Sequence, residues 1–290
     1  MDTDESIREF ENVRQWRFIY DQPSSGAYNM AVDDAILEHV LNGQSQPTLR
    51  LYAWSPACLS IGYGQKVRDA DTERIAAFGW TAVRRPTGGR AILHTDELTY
   101  SLTVPLDDPL TQLDIVSSYR QISAALVDAL QRLGLSPAAE RANEMPKNPG
   151  AVCFEIPSHY EITVEGRKLV GSAQVRRKGA LLQHGSLPLT GDLARICDAL
   201  AYSDEASREA ARDQVRSRAV TLSEALGTEV TWMEAAEALA AAFEAVFQVR
   251  AEHGALSPSE RQMAADLVKG RYATLDRVRT ALPDAPVSEV

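Results

Sequence analysis

Residues 84–102 run R-R-P-T-G-G-R-A-I-L-H-T-D-E-L-T-Y-S-L. Strand-like segments on either side, residues 80–84, 91–94 and 98–104, flank a glycine pair that carries arginines on both sides and a histidine, His94, just beyond. By itself Gly88-Gly89 reads as a hairpin turn that needs positive φ. Arg84, Arg85 and Arg90 add a second reading: a glycine turn bares backbone N–H groups, and guanidinium groups prefer the same oxygens, those of a carbonyl, carboxylate or phosphate. Phosphate is allowed but not specified, because the chain has neither G-x-x-x-x-G-K-[ST] nor G-x-G-x-x-G.

A second stretch gives the first its chemistry. Residues 153–174 run C-F-E-I-P-S-H-Y-E-I-T-V-E-G-R-K-L-V-G-S-A-Q, and Q-H-G-S-L-P follows at residues 183–188. Alternating runs at residues 160–164, 168–174 and 180–188, separated by Glu165-Gly166 and Lys178-Gly179, predict a β-meander. Cys153 follows a Pro/Asn/Gly-rich loop at residues 144–150, where a thiol is partly exposed. A catalytic thiol needs a nearby cation and donors for a developing oxyanion, and Lys168, beside the small residues Gly171, Ser172 and Ala173, is the candidate cation. Cys58 and Cys197 read as buried small hydrophobes. His94 and His184 each border a strand, and base, orienting partner and satisfied polar group all stay open for them; His39 and His159 sit in no motif.

Composition narrows the function classes. The chain has 290 residues, 44% hydrophobic and 24% charged, an ordinary globular balance with ample core. A net charge of −10 argues against a broad nucleic-acid surface. No apolar run is long enough to span a membrane and the acidic residues 1–11 lack a signal-peptide core, so the cytoplasm is the expected compartment. Three cysteines without C-x-x-C spacing, and no H-x-x-x-H, leave disulfide and metal chemistry unsupported. Arg84, Arg85, Arg90, Arg167, Lys168 and residues 176–178 form a basic mouth that would steer an acidic partner, although residues 176–178 read equally well as solvated surface charge.

Outward from these two stretches, strands are expected at residues 16–21, 48–53 and 58–62, the last two meeting as a hairpin. Helices are expected at residues 28–41, with a core-facing stripe, and at 69–78, 113–133, 221–226, 232–247 and 257–272. The order is that of an α+β (mixed α/β) protein, mixed β-sheets flanked by helices, and not of a regular βαβ succession. One domain is expected over residues 12–282, with flexible tails at 1–11 and 283–290.

Taken together, R-R-P-T-G-G-R-A-I-L-H, G-R-K-L-V-G-S-A-Q and L-L-Q-H-G-S-L resemble the family of lipoate-protein ligases, octanoyltransferases and biotin ligases that share one cofactor-transferase catalytic domain, and N-M-A-V-D (residues 29–33) and residues 49–65 extend the likeness. The resemblance covers about residues 16–272 and implies the biotin/lipoate protein ligase catalytic-domain fold. Within the family it is closest to the cysteine-dependent octanoyltransferases, through C-F-E-x-P-S-x-Y-E ahead of the lysine. It implies a thioester on Cys153, contact of Lys168 with the acyl carbonyl, and an acyl pocket lined by Arg84, Gly88, Gly89, Arg90 and His94, with Gly171, Ser172, Ala173 and His184 nearby. It implies octanoyl-acyl carrier protein as donor, the H protein of the glycine cleavage system or another lipoyl domain as acceptor, and no ATP or other cofactor. His159 stands where such enzymes usually have Trp. Rivals are an ATP-dependent lipoate-protein ligase, against which Cys153 and the lack of a long segment after Tyr272 argue, an octanoyl amidotransferase between lipoyl domains, and a non-catalytic acyl-binding protein.

Overall fold

A computed structural model describes residues 13–140 and 161–275. Cys153 and His159, and the tails expected at both ends, lie outside the described residues. The chain begins with β1 (Arg14–Tyr20) and enters α1 (Gly26–Leu41), whose first turn is capped by Ser25 Oγ accepting the Tyr28 N–H. β2 (Thr48–Tyr52), β3 (Cys58–Ile61), α2 (Thr72–Ala77), β4 (Thr81–Arg84), β5 (Ile92–His94) and β6 (Glu97–Val104) follow. Next come α3 (Ile115–Arg132), β7 (Ala138–Glu140) and the meander β8 (Glu161–Val164), β9 (Arg167–Arg177) and β10 (Ala180–Pro188). The chain continues through α4 (Glu205–Arg218), α5 (Trp232–Phe247), β11 (Val249–His253) and α6 (Pro258–Lys269). Thr231 with Glu234, and Ser257 with Glu260, form reciprocal capping boxes that fix where α5 and α6 start.

The strands form an eight-stranded sheet in the order β11-β1-β2-β6-β10-β9-β8-β7 and a three-stranded sheet in the order β4-β3-β5. β1 runs parallel to both β2 and β11, and the neighbours from β2 to β7 are antiparallel. This is the mixed α+β layering expected, and the meander lies where its alternation put it. Two local expectations fail. β2 and β3 belong to different sheets, so residues 48–62 form no hairpin. β4 and β5 both pair with β3, parallel and antiparallel respectively, so Gly88-Gly89 connects strands that never meet. The helix expected at residues 69–78 is present as α2, preceded by a short 3₁₀ turn (Val67–Asp69). β11 was not expected; V-R-A-E-H has little strand character and is ordered as an edge beside β1.

One face of the large sheet carries the main apolar core: Trp16, Phe18, Leu49, Leu51, Tyr100, Leu102 and Leu181 pack with Ile122 and Leu126 of α3 and Leu239 and Phe243 of α5. The opposite face is covered by α1. That helix is buried on almost every side, Asn29, Asp33 and Asp34 included, rather than along one stripe. Carboxylates inside a buried helix need partners, and those partners build the site.

Candidate active site

The loops that follow β3 and β4 lie against one another. Tyr63 N–H donates to the Thr87 carbonyl at 2.9 Å, and a Cβ on Gly62 would collide with the carbonyl of Gly89, so only glycine permits the approach. Gly89 itself has φ +87, in the region an L side chain rarely adopts. The arginines fasten this pair of loops. Arg84 donates to the carbonyls of Gly62, Tyr63 and Gln65 at 2.9, 3.0 and 2.6 Å. Arg85 donates to Gly88 O at 2.6 Å, Arg90 O at 2.8 Å and both Ser60 O and Ser60 Oγ at 3.2 Å. Both guanidinium groups are therefore turned onto backbone carbonyls of the loops, whereas the sequence had suggested substrate oxygens. None of the hydrogen bonds among the described residues engages the amides of Gly88 or Gly89.

Thr87 turns inward. Its Oγ1 lies 2.7 Å from His184 Nε2, and His184 Nδ1 lies 3.3 Å from Asp33 Oδ2. Asp33 also accepts from Arg50 Nη1 at 2.9 Å and Tyr52 Oη at 3.0 Å, and the Arg50 guanidinium sits 3.9 Å above the Tyr52 ring. Burial works to raise the Asp33 carboxyl, but the hydrogen bond from His184 and the charge of Arg50 outweigh it and hold it below the usual carboxylate range. Burial pushes the His184 imidazole below its ordinary value, against the pull of Asp33. A neutral ring beside an ionised carboxylate puts the proton on Nδ1, so Nε2 accepts the Thr87 hydroxyl.

His94 has a parallel arrangement. Its Nδ1 lies 2.8 Å from Glu97 Oε1, its Nε2 lies 2.8 Å from Ser60 Oγ, and its ring stacks on Trp54 with centroids 3.9 Å apart. Glu97 also accepts from Ser186 Oγ at 2.5 Å and from Thr99, while Trp54 Nε1 donates to Thr99 Oγ1 at 2.8 Å. Burial would raise the Glu97 carboxyl, but His94 and these hydroxyls hold it low.

β9 brings Lys168 to the same side of the sheet. Ala173 stands opposite His184 and Gly171 opposite Ser186, and directly paired residues share a face, so these two small residues lie on the face of the sheet that carries His184. Ser172 lies on the other face, its Oγ 2.7 Å from Tyr100 Oη in the main core. A register shift opposite Ile162 and Thr163 resets the alternation: Ile162 pairs with Val170 and Thr163 with Lys168. Since Ile162 and Val164 are both in the apolar core, Thr163 and its partner Lys168 fall on the face of Gly171 and Ala173. Lys168 is only 3% exposed, and its carbonyl accepts the Val220 N–H at 3.0 Å.

Of the predicted site residues, Lys168, Gly171, Ala173 and His184 thus share one sheet face, His94 stands on the small sheet, Gly88 and Gly89 shape the turn and Ser172 faces away. Arg90 is half-buried at the turn. Reasoning from sequence missed Asp33, Thr87, Glu97 and Ser60. The one available signal was a pair of carboxylates inside the apolar run of residues 30–37. Cys58 and Cys197 are buried as expected, and burial pushes the Cys58 thiol up to about 12. The basic mouth largely dissolves: Arg167 pairs with Glu224, Arg176 donates to Thr111 O and Ser118 Oγ, and Arg177 pairs with Asp34 and Glu38. No group of three or more potential metal ligands occurs among the described residues, and no described helix is long and apolar enough to cross a membrane.

Comparison with known proteins places this arrangement. Residues 25–244 match the family model described as lipoyl protein ligase A/B catalytic domain. A protein of Brevibacillus brevis named octanoyltransferase LipM is 40% identical over 269 residues, covering 90% of this chain and 98% of that protein. One of the same name from Bacillus subtilis is 38% identical, covering 89% of this chain and 96% of that one. Among solved structures, a bipartite lipoate protein ligase from Thermoplasma acidophilum superposes with a TM-score of 0.77 at 24% identity, covering 94% of this chain and all of that one, a likeness of fold.

Proposed function

The chain belongs to the lipoyl protein ligase A/B catalytic domain family, and from that premise we propose that it is an octanoyltransferase working through a cysteine acyl-enzyme. Its donor is octanoyl-acyl carrier protein, and its acceptor is a lysine of the glycine cleavage H protein or of another lipoyl domain. The observation that carries the reading is about 40% identity over nine-tenths of the chain to proteins named octanoyltransferase.

The chemistry runs in two balanced steps. The Cys153 thiolate attacks the thioester carbonyl of the donor; the C–S bond to the carrier breaks, the carrier leaves as a thiolate that takes a proton from solvent, and the octanoyl group rests on Cys153. The neutral ε-amine of the acceptor lysine then attacks this second thioester, forms an amide, gives up a proton and returns the cysteine thiolate. Each step passes through an oxyanion, and the Lys168 ammonium would stabilise both it and the thiolate. The unengaged amides of Gly88 and Gly89 are candidate donors to the acyl group, and Gly171 and Ala173 make room for its chain. Neutral His184, held by Asp33, fixes Thr87 and through it the inner side of the glycine turn. The donor thioester is already activated, so no ATP is needed, and the reaction belongs in the cytoplasm, where acyl carrier protein supplies the substrate.

The test is an ATP-free transfer assay with octanoyl-acyl carrier protein and apo H protein. Octanoylated H protein without nucleotide is the expected result. A requirement for ATP and free octanoate would replace the proposal with a ligase.

A further inference from the structure

Most arginines among the described residues have a carboxylate or a carbonyl to hold, and this makes the exceptions informative. Among the described residues, Lys66, Arg68 and Arg90 make no side-chain hydrogen bond or ion pair. Others of this kind, Lys178, Arg250 and Lys269, lie on separate elements, at the β9–β10 turn, on β11 and at the end of α6. Lys66, Arg68 and Arg90 instead occupy the two loops that touch. Gln65, next to Lys66, is held through its carbonyl by Arg84, and the carbonyl of Arg90 is held by Arg85. Gly62 and Gly89 are in direct backbone contact between them. Lys66 and Arg68 are exposed, as are Gly64 and Gly89, and the carboxylates of these two loop segments, Asp69 and Asp71, are half-buried, Asp71 accepting the Arg74 N–H and pairing with Arg208. The turn thus has two sides: Thr87 reaches inward to His184, while Gly89 is exposed and the half-buried Arg90 adds the charge of this turn that has no partner.

Resting on the function proposed above, we infer that Lys66, Arg68 and Arg90 form the docking surface for the acyl donor, an acidic carrier protein whose acyl arm is attached through a phosphodiester. A chain of net charge −10 repels an acidic partner everywhere except at a local cationic face. An arginine beside an exposed glycine turn is suited to the phosphodiester of the arm. The acceptor is less suited to this face, because its reacting lysine arrives as a cation that three neighbouring positive charges repel. The cations sit at the rim, where charge acts mainly on encounter rate and salt dependence rather than on the chemical step.

The test compares the wild type with Lys66→Glu/Arg68→Glu and with Arg90→Ala, measuring kcat/KM for octanoyl-acyl carrier protein, for the carrier-free thioester S-octanoyl-N-acetylcysteamine, and for apo H protein at fixed donor. Wild-type turnover of the carrier substrate is read first; its absence overturns the proposed function itself. Given turnover, the double variant should raise KM for the carrier substrate about 10-fold more than for the carrier-free thioester, and flatten the salt dependence of the carrier reaction. Arg90→Ala should act in the same direction with a smaller change. Equal effects on both thioesters, or a rise confined to the KM for H protein, would overturn the inference, the latter assigning the surface to the acceptor. Lys66 and Arg68 are exposed and Arg90 is half-buried, and matching thermal unfolding midpoints identify a folded variant.

Discussion

The two faces of the eight-stranded sheet are buried to the same degree by different means. On one, Leu49, Leu51, Tyr100 and Leu102 meet α3 and α5 through apolar contact. On the other, Arg50, Tyr52 and His184 meet Asp33 of α1, while Thr99 and Ser186 donate to Glu97, which in turn meets His94 of the small sheet. The first face depends on filled volume and tolerates swaps that conserve it. The second depends on every polar group keeping its partner, since a buried group left alone carries its full desolvation cost. A catalytic face needs that second kind of order, because directed groups hold a geometry that apolar packing leaves loose.

Substitutions on the two faces should therefore fail differently. Phe243→Ala empties part of the apolar face and should lower unfolding free energy by about 3–5 kcal/mol in denaturant titration, with kcat of the folded fraction little changed. Loss of kcat at unaltered stability would merge the two faces into one. Lys168→Ala should do the reverse, lowering kcat about 10²–10³-fold, the scale of one lost oxyanion donor, with a smaller shift in midpoint than Phe243→Ala. Retention of full kcat would remove Lys168 from the chemistry. Thr87→Val keeps the shape but deletes the hydroxyl that meets His184, and should reduce kcat/KM about 10-fold, the scale of one buried hydrogen bond.

The smallest effect concerns pH and a pair away from the site. Burial tends to raise the Glu260 carboxyl, but two hydrogen bonds from Arg17, at 2.6 and 2.8 Å, with the Ser257 N–H and the Ser45 hydroxyl, bring it down to about 2. A carboxyl lower in the folded than in the unfolded chain stabilises fully above the unfolded value of 4.5, and that contribution disappears as pH falls toward 2. Glu260→Gln should be less stable than wild type at neutral pH and lose stability less steeply between about pH 4.5 and 2. Parallel acid-unfolding curves would contradict this. Burial lowers His184 instead, so protonating it costs the folded state stability once pH drops below about 6.5.

The same contrast explains what could be read in advance. T-L-R-L-Y at residues 48–52 and the meander at 160–188 announce strands through alternation, and apolar residues of each lie in the main core. Alternation reports which residues share a face, and a polar face is ordinarily taken to meet water. Arg50 and His184 are buried because α1 and the small sheet cover them, a tertiary fact with no local signature. Arg84 and Arg85 were legible as belonging to the glycine turn, but their engagement with carbonyls depends on a loop some twenty residues earlier in the chain. Lys168 reaches the site face through a register shift that no residue type at 168–170 betrays. The neighbouring small residues were legible because their size alone carries the message.

The central claim is that the octanoyl group passes through Cys153. Intact-mass measurement after incubation with octanoyl-acyl carrier protein alone, without acceptor or ATP, tests it most directly. Wild type should gain one octanoyl group that hydroxylamine removes, and Cys153→Ala should gain none while remaining folded. An undiminished adduct on Cys153→Ala, or continued transfer to H protein by that variant at the wild-type rate, would contradict the acyl-enzyme.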